Sequence, residues 1–259
     1  MTEPEDAGQE IVHEKAVPVL SVDIVTLFPR LFDCWLEQGV VSRAIRRGIV
    51  DVRTVELRPF GIGRHQVTDD YPFGGGKGMV MKPEPLFAAV ESLSLDSTTP
   101  VILLSPAGRR FDQSQAQRLA MFHRVVMVAG HYEGVDDRVR HHLVTEELSI
   151  GDYVVSAGEL AAMVVIDTIV RLVPGALSEG SAREESFAGG LLEYPQYTRP
   201  AVFRGWAVPE TLLSGHHGQI REWRRDRSVE RTREVRPDLL ADVDLTVTER
   251  QQIENDETR

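Results

Sequence analysis

Ser149-Ile150-Gly151-Asp152-Tyr153-Val154-Val155-Ser156-Ala157-Gly158-Glu159 is the stretch on which the reading of this chain turns. Two small-residue turns flank a short apolar run. Glu146 to Val155 is expected to contain a strand, and the apolar spacing from Glu159 to Leu172 predicts a helix after it. A second segment, Gly130-His131-Tyr132-Glu133-Gly134-Val135-Asp136-Asp137-Arg138, lies a short way upstream. Each follows or contains a β-branched run and is bounded by glycine, which offers bare backbone N–H and C=O groups to a flat ligand. Two such loops at the ends of neighbouring strands predict a pocket lined by main chain.

Outward from these loops the chain alternates. Strands are predicted at 20–28, 49–57, 101–105 and 125–129, and helices at 30–47, 85–95, 112–122 and 136–142. The runs Val101–Ser105 and Val125–Ala129 are apolar throughout, as in strands buried on both faces. The class is therefore α/β with a parallel sheet, and the pocket belongs at the carboxyl ends of the strands. Residues 59–83 read as a long Gly/Pro-rich loop, a length that is usually functional or disordered. The expected division is an acidic extension over 1–18, a ligand-binding domain over 19–177, a flexible linker over 178–194 and a helical domain over 195–259. The helical domain carries predicted helices at 216–228 and 229–241.

The composition, 42% hydrophobic and 27% charged, is that of an ordinary globular protein. Cys34 is the only cysteine, which excludes an intramolecular disulfide and a thiolate metal cage and fits a reducing cytoplasm. The apolar runs are too short to span a bilayer, and the acidic start lacks the apolar core of a signal peptide. A net charge of −11 argues against nucleic acid until its distribution is read. Residues 1–15 carry −4 and 238–259 carry −5, whereas 221–236 hold seven arginines and a net +3. A local basic face can still bind phosphates, because distant charges are screened beyond about 8 Å at physiological salt.

No Gly-x-Gly-x-x-Gly follows an early strand, and Gly74-Gly75-Gly76-Lys77-Gly78 lacks the Ser or Thr of a P-loop. NAD- and ATP-dependent chemistry is therefore disfavoured. The plain reading of the Gly74–Gly78 run is a flexible turn. The other is a loop that lets Lys77 and Lys82 approach an RNA backbone.

Taken in order, several segments resemble the bacterial tRNA (guanine-N1)-methyltransferase family, of the SPOUT class of knotted methyltransferases. They are Asp23–Pro29, Asp69–Gly76, Leu104–Gly108, Gly130–Asp136, Ser149–Glu159, Arg171–Gly175, Gly190–Pro200 and Leu213–His217. The resemblance covers roughly 20–250. It implies an α/β fold with a deep trefoil knot and a small all-α C-terminal domain. It also implies a homodimer with its active site at the interface, a tRNA anticodon arm as partner, and methyl transfer from S-adenosylmethionine to N1 of guanosine 37. Donor contacts are implied at Leu103, Leu104, Ser105, Pro106, Gly130, Tyr132, Glu133, Ile150, Gly151, Asp152, Tyr153, Val154, Val155 and Gly158. For tRNA they are implied at Gly75, Lys77, Tyr197, Arg199, Ser214, Gly215, His216, His217, Arg221 and Arg224. Mg²⁺ is a reported requirement in the family, yet no acidic cluster here has clear ligand spacing.

The chemistry asks for a base at N1–H and a cation where charge grows at O6. By resemblance the base is the carboxylate before Ser186-Phe187. That residue is Glu185 where the family pattern has Asp, with Glu184 as the alternative. Arg171, before Val173-Pro174-Gly175, is the implied cation; its plain alternative is a dipole-complementing arginine at a helix end. Ala157 stands where the family has Gly, which is tolerable only if φ there is negative. Other readings are a SPOUT enzyme acting on ribose 2′-OH or rRNA and a non-catalytic RNA-binding protein. The Glu193–Pro200 segment disfavours the first, and Arg171 with a linker carboxylate disfavours the second.

Overall fold

A computed structural model describes residues 17–178 and 185–251. Most of the expected acidic extension lies outside them, as does Glu184. The chain gathers into two compact units that divide between Leu177 and Ser178.

The first unit is built on a five-stranded, wholly parallel sheet in the order β2-β1-β6-β5-β7. Its strands are β1 (Leu20–Thr26), β2 (Val50–Glu56), β5 (Val101–Arg110), β6 (Arg124–Ala129) and β7 (Glu146–Ser149). Period-2 alternation sends Val125 and Met127 of β6 to one face and Val126 and Val128 to the other. Helices cover both faces, which is why these strands read as unbroken apolar runs. On one side lie α2 (Gly39–Arg46), α4 (Gln113–Ala120) and α6 (Gly158–Leu172). On the other lie α3 (Pro83–Glu91) and α5 (Asp137–His142). Asp23 of β1 is buried and held by Arg124 at 2.7 Å and Arg53 at 3.2 Å, so its charge is paired rather than stranded.

Several boundaries differ from the sequence reading. The helix expected over 30–47 is broken into a 3₁₀ turn at Pro29–Leu31, α1 (Asp33–Leu36) and α2, with Gly39 at φ +69° where α2 begins. The chain turns there as only glycine does readily. The helix expected from Pro85 starts at Pro83, proline being suited to a first turn. The 59–83 loop contains a small hairpin, β3 (Asp69–Asp70) with β4 (Val80–Met81), whose connection holds the glycine run. Asp112 caps α4, accepting from the Gln115 amide at 2.9 Å and the Ser114 hydroxyl at 2.6 Å. Asp112→Ala is expected to cost about 1 kcal/mol in urea unfolding.

The second unit is not all helical. It holds a short hairpin of β8 (Val202–Phe203) and β9 (Trp206–Ala207), then α7 (Glu210–Leu213) and α8 (His217–Val235). Instead of two helices meeting at 228/229 there is one continuous α8, because no breaker occurs before Pro237, where a 3₁₀ turn follows (Pro237–Asp242). Residues 185–194, expected to be linker, are folded onto this unit. Leu191 packs with Val229 and Val243, and the buried Thr232 hydroxyl accepts from the Leu192 amide at 2.9 Å.

At the end of the unit Thr246 and Glu249 form a reciprocal capping box. The Thr246 amide donates to Glu249 at 2.7 Å, and the Glu249 amide donates to the Thr246 hydroxyl at 3.3 Å. The Arg225 guanidinium, hydrogen-bonded at 2.7 Å, holds the Glu249 carboxyl below its ordinary 4.5. A group whose pKa is lowered by folding stabilises the fold above its unfolded value and loses that contribution as pH falls through the folded value. Glu249→Gln should therefore lower the urea midpoint at pH 7, and the gap to the parent chain should close as the pH drops below 4.5.

Candidate active site

A cavity of 440 Å³ opens at the carboxyl ends of β5, β6 and β7. Three segments wall it, 103–107 at the register shift of β5, 130–135 after β6, and 147–150 with 153–156 at and after the end of β7, and Gly158 and Ala161 of α6 complete it. Close approach of backbones makes this possible. A Cβ on Gly158 would lie 2.5 Å from the Gly130 nitrogen, and one on Gly108 would lie 2.6 Å from the Leu148 nitrogen. The Gly158 amide donates to the Gly130 carbonyl at 2.9 Å, tying α6 to the end of β6. Ala157 has φ −155°, an extended conformation that any residue adopts, so its methyl introduces no backbone strain.

Twelve of the fourteen implied donor residues line this cavity. Gly151 and Asp152 are not on its wall. Gly151, at φ +148°, lies under the ring of Tyr153, whose hydroxyl donates to the Ile150 carbonyl at 3.2 Å. Tyr132 occupies the left-handed region at φ +58°, and its hydroxyl pKa is raised by burial and then by the charge of Asp69. The turn that carries it is stitched to β4, with Glu133 N–H donating to the Met79 carbonyl at 3.0 Å and Met81 N–H to the Gly134 carbonyl at 2.9 Å. The Glu133 side chain lies where a Cβ on Gly78 would sit. The loop bearing Gly75 and Lys77 is thereby held beside the cavity's second wall.

Sequence reasoning missed the polar groups that frame the cavity. Arg140 reaches Asp137 at 3.0 Å and Glu147 at 3.4 Å, and all three line it. His131 also lines it, with Nε2 2.6 Å from a buried Glu159 carboxylate. Asp137 and Arg140 are three residues apart on α5, but nothing local in the sequence marks the Arg140–Glu147 and His131–Glu159 pairs, since each joins separate elements.

Arg171 is not at the cavity of its own chain. It sits in the last turn of α6, thirteen residues beyond Gly158 and so about 20 Å along the axis. It shares one face with Leu160 and Val164, at helical spacing, and these are 45% and 47% exposed. Val154, just before the helix, is 83% exposed.

In the second unit Glu185 lines a separate cleft of 320 Å³ with Tyr194, Arg221 and Arg224. The Arg224 guanidinium lies 4.6 Å from the centroid of the Tyr194 ring, and Tyr197 packs near Trp223. Arg199, Ser214, Gly215, His216 and His217 are exposed, the last four around the junction of α7 and α8. Among the described residues, no group of three or more His, Cys, Asp or Glu is placed to hold a metal ion, and no helix is long and apolar enough to cross a membrane.

An open parallel sheet with a backbone-lined cavity at the strand ends defines an α/β protein built to hold a nucleotide-sized ligand. Residues 20–242 match the family profile described as tRNA (Guanine-1)-methyltransferase TrmD. A tRNA (guanine-N(1)-)-methyltransferase of Moorella thermoacetica is 53% identical over 240 residues, covering 91% of this chain and 96% of the relative. Enzymes of the same name from Halalkalibacterium halodurans and Staphylococcus epidermidis are 50% and 48% identical, each over 91% of this chain and over 97% and 96% of their own lengths. The chain belongs to the tRNA (guanine-N1)-methyltransferase family.

Proposed function

We infer that this protein transfers a methyl group from S-adenosylmethionine to N1 of guanosine 37 in tRNA. The observation that carries the reading is the glycine-built cavity at the ends of β5, β6 and β7 in a chain of this family. It fits a flat, amphipathic donor: apolar Leu103, Ile150 and Val155 alternate with backbone polar groups, and a Cβ on Gly130 would touch the Leu104 carbonyl at 3.4 Å. When bound, the donor supplies an electrophilic methyl on a sulfonium. The close backbone crossings at Gly108 and Gly158 are what threading a trefoil knot demands.

The protein's own work is deprotonation, charge stabilisation and orientation. Glu185 takes the N1 proton, because N1–H is a poor nucleophile at neutral pH. Arg171 faces the charge that develops at O6. Since α6 separates Arg171 from its own cavity, a two-fold pair of chains packed on the Leu160–Val164–Arg171 face supplies it to the other copy's cavity. The same pairing covers the exposed apolar side chains of that face. Tyr197, Arg199, Arg221, Arg224 and the exposed turn Ser214–His217 grip the anticodon arm through phosphates and stacked bases. Methylation at N1 needs the base to leave the anticodon-loop stack.

The test is transfer of labelled methyl to an unmodified transcript with G36-G37, beside the same transcript with A37. Label entering only the G37 transcript and recovered as 1-methylguanosine supports the reading. Label in both, or in ribose, overturns it.

A further inference from the structure

Glu159 is the only carboxylate among the described residues with 0% exposure, and the proposed reaction gives it no part. Its position in the first turn of α6 would suit simple dipole complementation, but its partners are more specific than that. The Thr26 hydroxyl, at the end of β1, donates to one carboxylate oxygen. That hydroxyl in turn accepts from the Phe28 amide at 2.9 Å, so its single proton is committed to Glu159. The other carboxylate oxygen lies 2.6 Å from His131 Nε2.

The imidazole belongs to the cavity's second wall. It packs against Phe28 with ring centroids 4.8 Å apart, and the next residue is the left-handed Tyr132. The outer edge of this turn is sewn to β4 by backbone bonds at Glu133 and Gly134. At its inner edge the side-chain anchor is His131. A non-glycine residue at positive φ persists only when its surroundings over-determine it. Three separate elements, β1, the turn after β6 and α6, thus meet at one buried carboxylate.

We propose that Glu159, set by Thr26, is a positioning residue for the methyl-donor cavity: it locks His131 with its proton on Nε2 and so holds the Gly130–Gly134 turn in the shape that receives the donor. The proposal rests on the reading of the cavity as the donor site. Its action is geometric, so it applies equally to the cationic donor and to the neutral thioether left after transfer.

The experiment is calorimetric binding of S-adenosylmethionine and S-adenosylhomocysteine to the full chain and its variants, with ¹⁵N NMR of the His131 ring. His131→Ala should weaken both ligands by about tenfold or more. His131→Gln, whose amide can still donate to Glu159, should restore both to within about threefold of the parent. In the parent, His131 should appear protonated at Nε2, and Glu159→Gln should mix the tautomers. Should Glu159→Gln fail to fold, the two His131 variants still decide the matter.

Unchanged binding in His131→Ala would overturn the proposal. So would an absent rescue by glutamine, or a proton on Nδ1 alone. Weakening confined to the sulfonium would also overturn it, by making the pair a charge rather than a support. A parent chain that binds neither ligand would instead overturn the donor-site reading, and this proposal with it.

Discussion

Glu185→Gln is expected to lower the single-turnover rate of methyl transfer by about 10²–10⁴-fold, the usual contribution of a positioned general base. Donor affinity should stay within about twofold, because Glu185 lines a cleft in the second unit whereas the cavity proposed for the donor is walled by the first. The substitution keeps the shape of the side chain while removing its negative charge and its ability to accept a proton. The local fold should persist, since it rests on backbone groups and neighbours. Phe187 N–H donates to the Leu191 carbonyl at 2.8 Å, Glu193 N–H to the Ser186 hydroxyl at 2.9 Å, and Leu192 N–H to Thr232. Rapid-quench methylation of a G37 transcript, with calorimetric donor binding beside it, measures both quantities. A rate within tenfold of the parent would pass the base role to another carboxylate, Glu184 first. Glu185→Asp should retain substantial activity, because the anchored turn, rather than side-chain length alone, delivers the carboxylate.

Much of this was legible in the sequence because the informative features are local. Unbroken apolar runs at 101–104 and 125–129 announce strands covered on both faces, and the glycines at 108, 130 and 158 announce backbones in contact. Twelve of the cavity-lining positions follow from such loops, given the family resemblance. The misses have the opposite character. Glu159 in a first helical turn looks like a solvated dipole partner, and only Thr26 and His131, 133 and 28 residues away in sequence, make it a buried hub. Arg171 matches a family motif, and the 1.5 Å rise per residue of α6 sets it apart from its own chain's cavity, a separation that the motif alone does not show. The β8–β9 hairpin has strands of two residues, too short to show any period, and its turn at Arg204-Gly205 is set by left-handed conformations. Residues 185–194 look like linker because Ser, Gly and Ala dominate the stretch that leads into them, yet Leu191 packed on Val229 and Val243, with hydrogen bonds from Leu192 and Glu193, pins them.

Gly158→Ala should cost about 2–3 kcal/mol of stability, near the upper range for forcing one methyl group into a packed interior, and Gly158→Val more. The reason is space rather than conformation, since Gly158 is not in the left-handed region. Its added Cβ would lie 2.5 Å from the Gly130 nitrogen and 2.8 and 2.9 Å from the Cα and C of Ala129. All three are backbone atoms at the end of a central strand, so none can swing aside as a long side chain would. The gain in helix propensity from replacing glycine with alanine, about 1 kcal/mol, offsets only part of this. Relief requires α6 to slide off β6, which breaks the Gly158–Gly130 hydrogen bond and reshapes the cavity. Donor affinity should therefore fall with stability, by about tenfold or more. Two controls separate packing from a general effect of losing a glycine. Gly218→Ala, with open space around its Cβ, should be neutral or mildly stabilising, and Gly130→Ala, with one contact at 3.4 Å, should cost much less than Gly158→Ala. Urea unfolding of the three variants, each with donor calorimetry, gives the ranking. If Gly158→Ala proved as stable as Gly218→Ala, then α6 and β6 would not meet as closely as the 2.5–2.9 Å distances require, and the proposed knot would lose one of its supports.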